Sequence, residues 1–277
     1  MLTTQPAAAA EDARAASDTP VASVVVTGNR TGILTTDGTV YVQEGSADWV
    51  QVFQGVSSLA LTGDRIGVVQ RGTGNAFVTE GGLQASWVHV SQGVSSLVLS
   101  GNRIGVVQRN GDAFVKEGGL EAGWTLESQG VTSMALSGNR IGVVHRNGDA
   151  FVKEGGLEAG WTLESQGVTS MALSGNRIGV VQRNDDAFVK EGTLHANWTK
   201  ESQGVGSLVL SGNRIGVVHR NGDAFVKEGG LDANWTKESQ GVSSLVLSGD
   251  RIGVVQSGKA FVKEGALDAA WVQQNFD

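Results

Sequence analysis

Apolar residues fall in short runs of about five along residues 21–277, separated by glycine-bearing turns. In one representative stretch the runs are Ser95–Leu99, Ile104–Gln108, Ala113–Lys116 and Trp124–Ser128. No 3.6-residue period runs through them and they are rich in β-branched residues, so they predict strands and an all-β fold. Gly101-Asn102, Asn110-Gly111 and Gln129-Gly130 predict two-residue turns. Asn-Gly is the strongest hairpin signal, because both positions tolerate positive φ. Several runs are apolar at every position, and a strand with two apolar faces must be covered on both.

The four-run unit recurs. Gly, then Asn or Asp, then Arg stands at Gly28, Gly63, Gly101, Gly138, Gly175, Gly212 and Gly249. One Trp follows each: Trp49, Trp87, Trp124, Trp161, Trp198, Trp235 and Trp271. Residues 102–138 and 139–175 differ only at Gln108 against His145, which points to recent duplication or to deliberate construction. Seven units of four strands predict a seven-bladed β-propeller, whose stacked blades cover both faces of each sheet.

Loop lengths suggest where each blade begins. Only residues 118–123 form a connection longer than two residues. Crossing from the outer edge of one blade to the inner edge of the next spans about 14 Å, three strand spacings. Six residues reach that far and two do not. The Trp strand is therefore expected innermost and the Phe strand outermost. On this phase the chain starts at Val21 with a second strand, and the C-terminal Trp strand, Trp271–Asp277, joins the first blade and closes the ring. The expected organisation is a flexible N-terminal arm, 1–20, and one propeller domain, 21–277. The Ala-rich arm lacks the apolar stretch of an intact signal peptide, although a mature arm left by processing is also open.

Composition narrows the function. There are no cysteines, which excludes disulfides, thiolate chemistry and Cys-ligated zinc. Net charge is −7 with no basic patch, so nucleic acid is not an expected partner. No run of 18 apolar residues exists, so membrane insertion is not expected. Among the four histidines, His145 and His219 stand where other repeats carry Gln, a poor pattern for a metal site, and no metal or other cofactor is expected. Short, near-identical loops carry no nucleophile elbow, phosphate loop or unique acid pair, so no enzyme is expected.

The remaining chemistry is repetitive. The face bearing the Gly-Asn-Arg turns and the long loops offers an amide, a guanidinium, a carboxylate and an indole per repeat. Planar hydrogen-bonding groups beside an aromatic surface suit sugars. The candidate ligand-binding sets are Asn102, Arg103, Glu117 and Trp124; Asn139, Arg140, Glu154 and Trp161; Asn176, Arg177, Glu191 and Trp198; and Asn213, Arg214, Glu228 and Trp235. Each member also has a structural role open to it: Trp as filler between blades, Arg–Glu as a latch, Asn as a turn residue needing positive φ. Asp112 and Glu127 read as solvated charges, and Gln70 and Gln108 lie within a strand, outside the site.

The order of signals resembles the tachylectin-type and tectonin-type propeller lectins. It reads Ala196-Asn197-Trp198, Gln203-Gly204, Ser207-Leu208-Val209-Leu210 and Phe225-Val226-Lys227. The resemblance covers residues 21–277 and implies a lectin with equivalent sites between blades. The loop before each Trp is shorter than in those chains, and Asn precedes Trp only at Asn197 and Asn234. The expectation is a monomeric, multivalent, carbohydrate-binding protein whose partners are glycans or glycoconjugates. A secreted or extracellular location is expected, with the cytoplasm also open. Two alternatives stand beside it: a protein-interaction scaffold, against which near-identical blades argue, and an amplified or designed propeller without a selected ligand.

Overall fold

The computed structural model describes residues 19–276. The expectation of a flexible arm falls mostly on residues 1–18, outside the described part. Among the described residues there are strands and no helices, grouped in seven four-stranded antiparallel sheets. The seven-bladed all-β propeller expected from the repeat is the fold observed.

Each blade is made of four consecutive strands. The blades span residues 21–53, 56–91, 94–128, 131–165, 168–202, 205–239 and 242–273. In the third blade the strands are Val94–Ser100, Arg103–Gln108, Ala113–Glu117 and Thr125–Ser128. The first strand of every blade lines a central channel, through residues such as Val25, Leu59, Leu97, Met134, Met171, Leu208 and Val246. The Thr125–Ser128 strand and its counterparts lie outermost. The expected phase is therefore corrected: the strand after each Trp is outermost, and the Ser-x-Leu-x-Leu strand is innermost.

The reason lies in the twist of the blades. The end of each outer strand does not stay at the rim. Ser128 Oγ lies 2.9 Å from Nε2 of His145, on the second strand of the next blade. From there the innermost strand of that blade is only one spacing away, about 5 Å, which Gln129-Gly130 bridges easily. The six-residue loop instead joins the third strand to the fourth and wraps over the preceding blade's side of the interface.

Closure follows from the same phase. The C-terminal strand, Val272–Gln273, pairs with residues 261–262 in the seventh blade and does not enter the sheet of the first. The chain ends nonetheless meet. Phe276 packs on Tyr41, with ring centroids 5.1 Å apart, and edge-on to Trp49 at 6.2 Å. The Val21 amide donates to the Gly258 carbonyl at 2.8 Å, and Arg251 Nη1 donates to the Thr27 carbonyl at 2.7 Å. The C-terminal segment thus closes the ring by packing against the first blade.

Blades are glued by apolar side chains. The second strands are almost wholly buried, with Ile66, Ile104, Ile141, Ile178, Ile215 and Ile252 all at 0% exposure. Each of these strands carries a glycine under leucine, methionine or, at Gly253, valine side chains of the next blade. A Cβ at Gly67 would come 2.6 Å from Cδ2 of Leu97, so glycine is what lets adjacent blades approach this closely. The Asn-Gly turns differ from the expected hairpin type. Gly111 takes φ +94° but Asn110 does not take positive φ; its side-chain oxygen instead accepts from the Asp112 amide at 2.9 Å.

Candidate functional site

The Gly-Asn-Arg turns and the long loops share one face, as expected: the Gly118 amide donates to the Asn102 carbonyl at 3.0 Å. Asn102, Asn139, Asn176 and Asn213 are exposed there. Gly101, not Asn102, takes the left-handed conformation, so backbone φ does not require asparagine.

The candidate arginines are largely engaged, each keeping one buried nitrogen, Nη1, without a partner. Arg103, Arg140, Arg177 and Arg214 are buried and pair with Glu117, Glu154, Glu191 and Glu228 at 3.0, 2.9, 3.0 and 2.9 Å. Each also donates to a loop carbonyl of the next blade, as Arg103 does to Gly155 at 2.7 Å. Arg and Glu of each candidate set are thus brought together as a latch across the ring. The Trp of the same repeat is not part of that grouping. Arg103 reaches forward to the fourth blade, whereas Trp124 packs back onto the second, its Nε1 donating to the Val90 carbonyl at 3.1 Å. The indoles are half-buried, each beneath a lysine: Lys116, Lys153, Lys190 and Lys227 lie 4.8–5.1 Å above Trp124, Trp161, Trp198 and Trp235.

A different constellation occupies the clefts between blades. Lys153, 2% exposed, donates to the Leu157 carbonyl and pairs with Glu127 of the preceding blade, whose side chain is 1% exposed. Lys190–Glu164, Lys227–Glu201 and Lys263–Glu238 repeat this staple. Glu127 is therefore not a solvated charge. Its strand presents Leu126 to solvent, 48% exposed, and turns the carboxylate inward. In every such glutamate Oε2 meets the lysine, and Oε1 is buried without a hydrogen-bond partner. Burial pushes the Glu201 carboxyl above its ordinary value, opposed by Lys227.

Beside two staples the cleft opens into a cavity of about 160 Å³. One is lined by Glu127 and Ser128 of the third blade with Val143, His145, Phe151 and Trp161 of the fourth. Its twin has Glu201 and Ser202 with Val217, His219, Phe225 and Trp235. In both, the serine hydroxyl and the His Nε2 are 2.9 Å apart, and the imidazole leans on the phenylalanine at 5.2 and 5.1 Å. Of the candidate residues, Trp161 and Trp235 line cavities. From sequence, Ser128 was not singled out, Glu127 was expected to be a solvated charge, and His145 was expected to hold no metal. The available signal was the pairing of Glu with a Lys about 26 residues later, present at four interfaces.

The other interfaces vary this pattern. Val90 stands opposite Lys116, which keeps its bond to the Leu120 carbonyl but has no carboxylate; burial holds its ammonium below the ordinary lysine value. At the closing seam Gln274 and Gln43 occupy the Glu and Lys places. No group of three or more acidic, His or Cys side chains that could hold a metal occurs among the described residues. Among the described residues no helix is long and apolar enough to cross a membrane.

No family model matches the chain, and no curated protein matches it. Solved structures do. PorZ, a bacterial surface component of the type-IX secretion system of Porphyromonas gingivalis, superposes with TM-score 0.71 at 12% identity. That match covers 92% of this chain and 38% of PorZ. Prp20p of Saccharomyces cerevisiae matches with TM-score 0.65 at 10% identity, covering 83% and 80% of the two chains. Hsv2 of Kluyveromyces lactis matches with TM-score 0.65 at 12% identity, covering 93% and 98%. At such identities the likeness is one of fold. These neighbours are not tachylectins.

Proposed function

We propose that the protein is a non-enzymatic, multivalent carbohydrate-binding propeller whose sites are the clefts between blades. The observation that carries this reading is the repeated cavity uniting a carboxylate, a hydroxyl, an imidazole and two aromatic rings. Sugars are bound by that mixture: the polar groups meet hydroxyls, and the rings cover C–H faces. A 160 Å³ cavity is well below the roughly 300 Å³ at which drug-sized pockets begin. It suits the edge of one monosaccharide, and such a contact is weak alone. Several weak contacts on one rigid ring raise avidity by about 10²–10⁴ on a sugar-coated surface when geometry allows simultaneous engagement.

A glycan array tests the proposal, with the Trp161→Phe/Trp235→Phe double variant as companion. Binding to a defined terminal sugar, lost in the folded double variant, supports it. Silence across the array rejects it. The scaffold reading has one observation in its favour: Leu126 and Leu163 are 48% and 49% exposed on the rims of adjacent blades. It gains if the array is silent and Leu126→Lys/Leu163→Lys abolishes capture of a protein partner.

A further inference from the structure

Resting on the carbohydrate reading, we infer that the ring carries two sugar sites rather than seven, at the His145 and His219 clefts, and that each takes a neutral sugar whose hydroxyl donates to the free oxygen of Glu127 or Glu201. Four glutamates carry a buried Oε1 without a partner. Such an atom costs free energy unless something donates to it, and a charged acceptor costs more than a neutral one. Two of the four, Glu127 and Glu201, line the 160 Å³ cavities. These are the interfaces where imidazole replaces the usual glutamine. Leaning on Phe151 at a tilt of 42° and held by Ser128, the His145 ring is fixed against one wall. Gln182, its counterpart at the next interface, has only a 3.4 Å contact to Ser165 and no imidazole to stack on Phe188 as His145 does on Phe151.

Charge selects the ligand. Lys153 already neutralises Glu127, so a cation would compete with a partner that is in place. An acidic sugar would bring a second carboxylate against Oε1 where screening is poor, and like charges there repel. A neutral hydroxyl satisfies the orphan oxygen without either penalty.

The seven indole N–H signals, one per blade, provide the readout in ¹H–¹⁵N spectra. The probes are methyl glucoside, methyl galactoside and methyl mannoside, with glucuronic and galacturonic acid as acidic counterparts. At about ten times a millimolar Kd, one or more neutral glycosides should shift Trp161 and Trp235 and leave the other five in place. The uronic acids should shift neither. Glu127→Gln should weaken binding at Trp161 by about tenfold or more, with Trp235 unchanged. His145→Gln should silence Trp161, and Gln182→His should add Trp198 to the responding set. Undisturbed signals from the remaining blades report that each variant is folded. Uronic acids binding as well as neutral sugars, sugar-induced shifts spread over all seven indoles, or Gln182→His leaving Trp198 silent would each overturn the two-site inference while leaving sugar binding intact. No response to any sugar would overturn both.

Discussion

Two neighbouring clefts are built from nearly the same residues and differ in one charge. Between the third and fourth blades, buried Lys153 meets buried Glu127; between the second and third, buried Lys116 meets Val90. Both lysines keep a loop carbonyl and an indole. The lesson is that the carbonyl and the ring place the ammonium, while the glutamate only compensates its charge. Desolvating two ions can cancel their attraction, so the pair need not make the fourth blade more firmly held than the third. What the pair does fix is dependence: once Glu127 is buried, Lys153 becomes indispensable.

The largest test of that difference removes the lysines. Lys153→Met strands a buried carboxylate and should cost about 3–5 kcal/mol. Lys116→Met leaves no buried charge behind and costs only its bond to the Leu120 carbonyl, while removing a desolvated ion, so it should cost far less than Lys153→Met. The urea midpoint should fall much further for Lys153→Met; equal losses would show that Lys116 has a partner in solution.

Alkaline titration comes next. Burial lowers Lys116 in the native state, so between that lowered value and its ordinary 10.5 the unfolded chain binds more protons. Stability contributed by this group must then rise with pH through that window. Val90→Glu, which completes the staple, should flatten the rise, as read from unfolding free energy against pH.

The acid side has the opposite sign. Glu201 is raised above its ordinary 4.5, so its favourable contribution is present below that value and is lost as pH climbs through the native one. Glu201→Gln should remove this decline in unfolding free energy just above pH 4.5. An unaltered profile would mean that Lys227 keeps the carboxylate ionised throughout.

The smallest effect is at the rim. Leu126 and Leu163 lie across from Phe114 and Phe151, where the fifth and sixth blades place Lys200 and Lys237, paired with Asp186 and Asp223 at 2.8 and 3.1 Å. Leu163→Lys should change stability by no more than about 0.5 kcal/mol. Its measurable consequence should be higher solubility.

The architecture was legible because it is written seven times: four apolar runs, glycine at fixed offsets and one Trp per unit fix the blade count and strand number. The phase was not, because it depends on twist. Reach was judged for flat sheets, in which Gln129-Gly130 is too short, whereas the twisted outer strand delivers Ser128 to His145 before the chain turns. The latch role of Arg103 and Glu117 was among the readings open from sequence. The cleft residues were hidden by polarity. Glu127 follows an apolar leucine on a short outer strand, and only its partner on another blade explains why the charge, and not the leucine, faces inward.

The staples also run in one direction, from the outer strands of the third to sixth blades to the third strand of the next, and the seam between the seventh and first blades carries Gln274 and Gln43 in their place. Surfaces that join head to tail can propagate from molecule to molecule as readily as they close. An internal blade presented to the first blade of another molecule would bury its glutamate against Gln43 with no ammonium to receive it. The uncharged seam therefore acts as a register mark: Gln274 and Gln43 accept each other, and pairing an internal blade with the first blade is disfavoured.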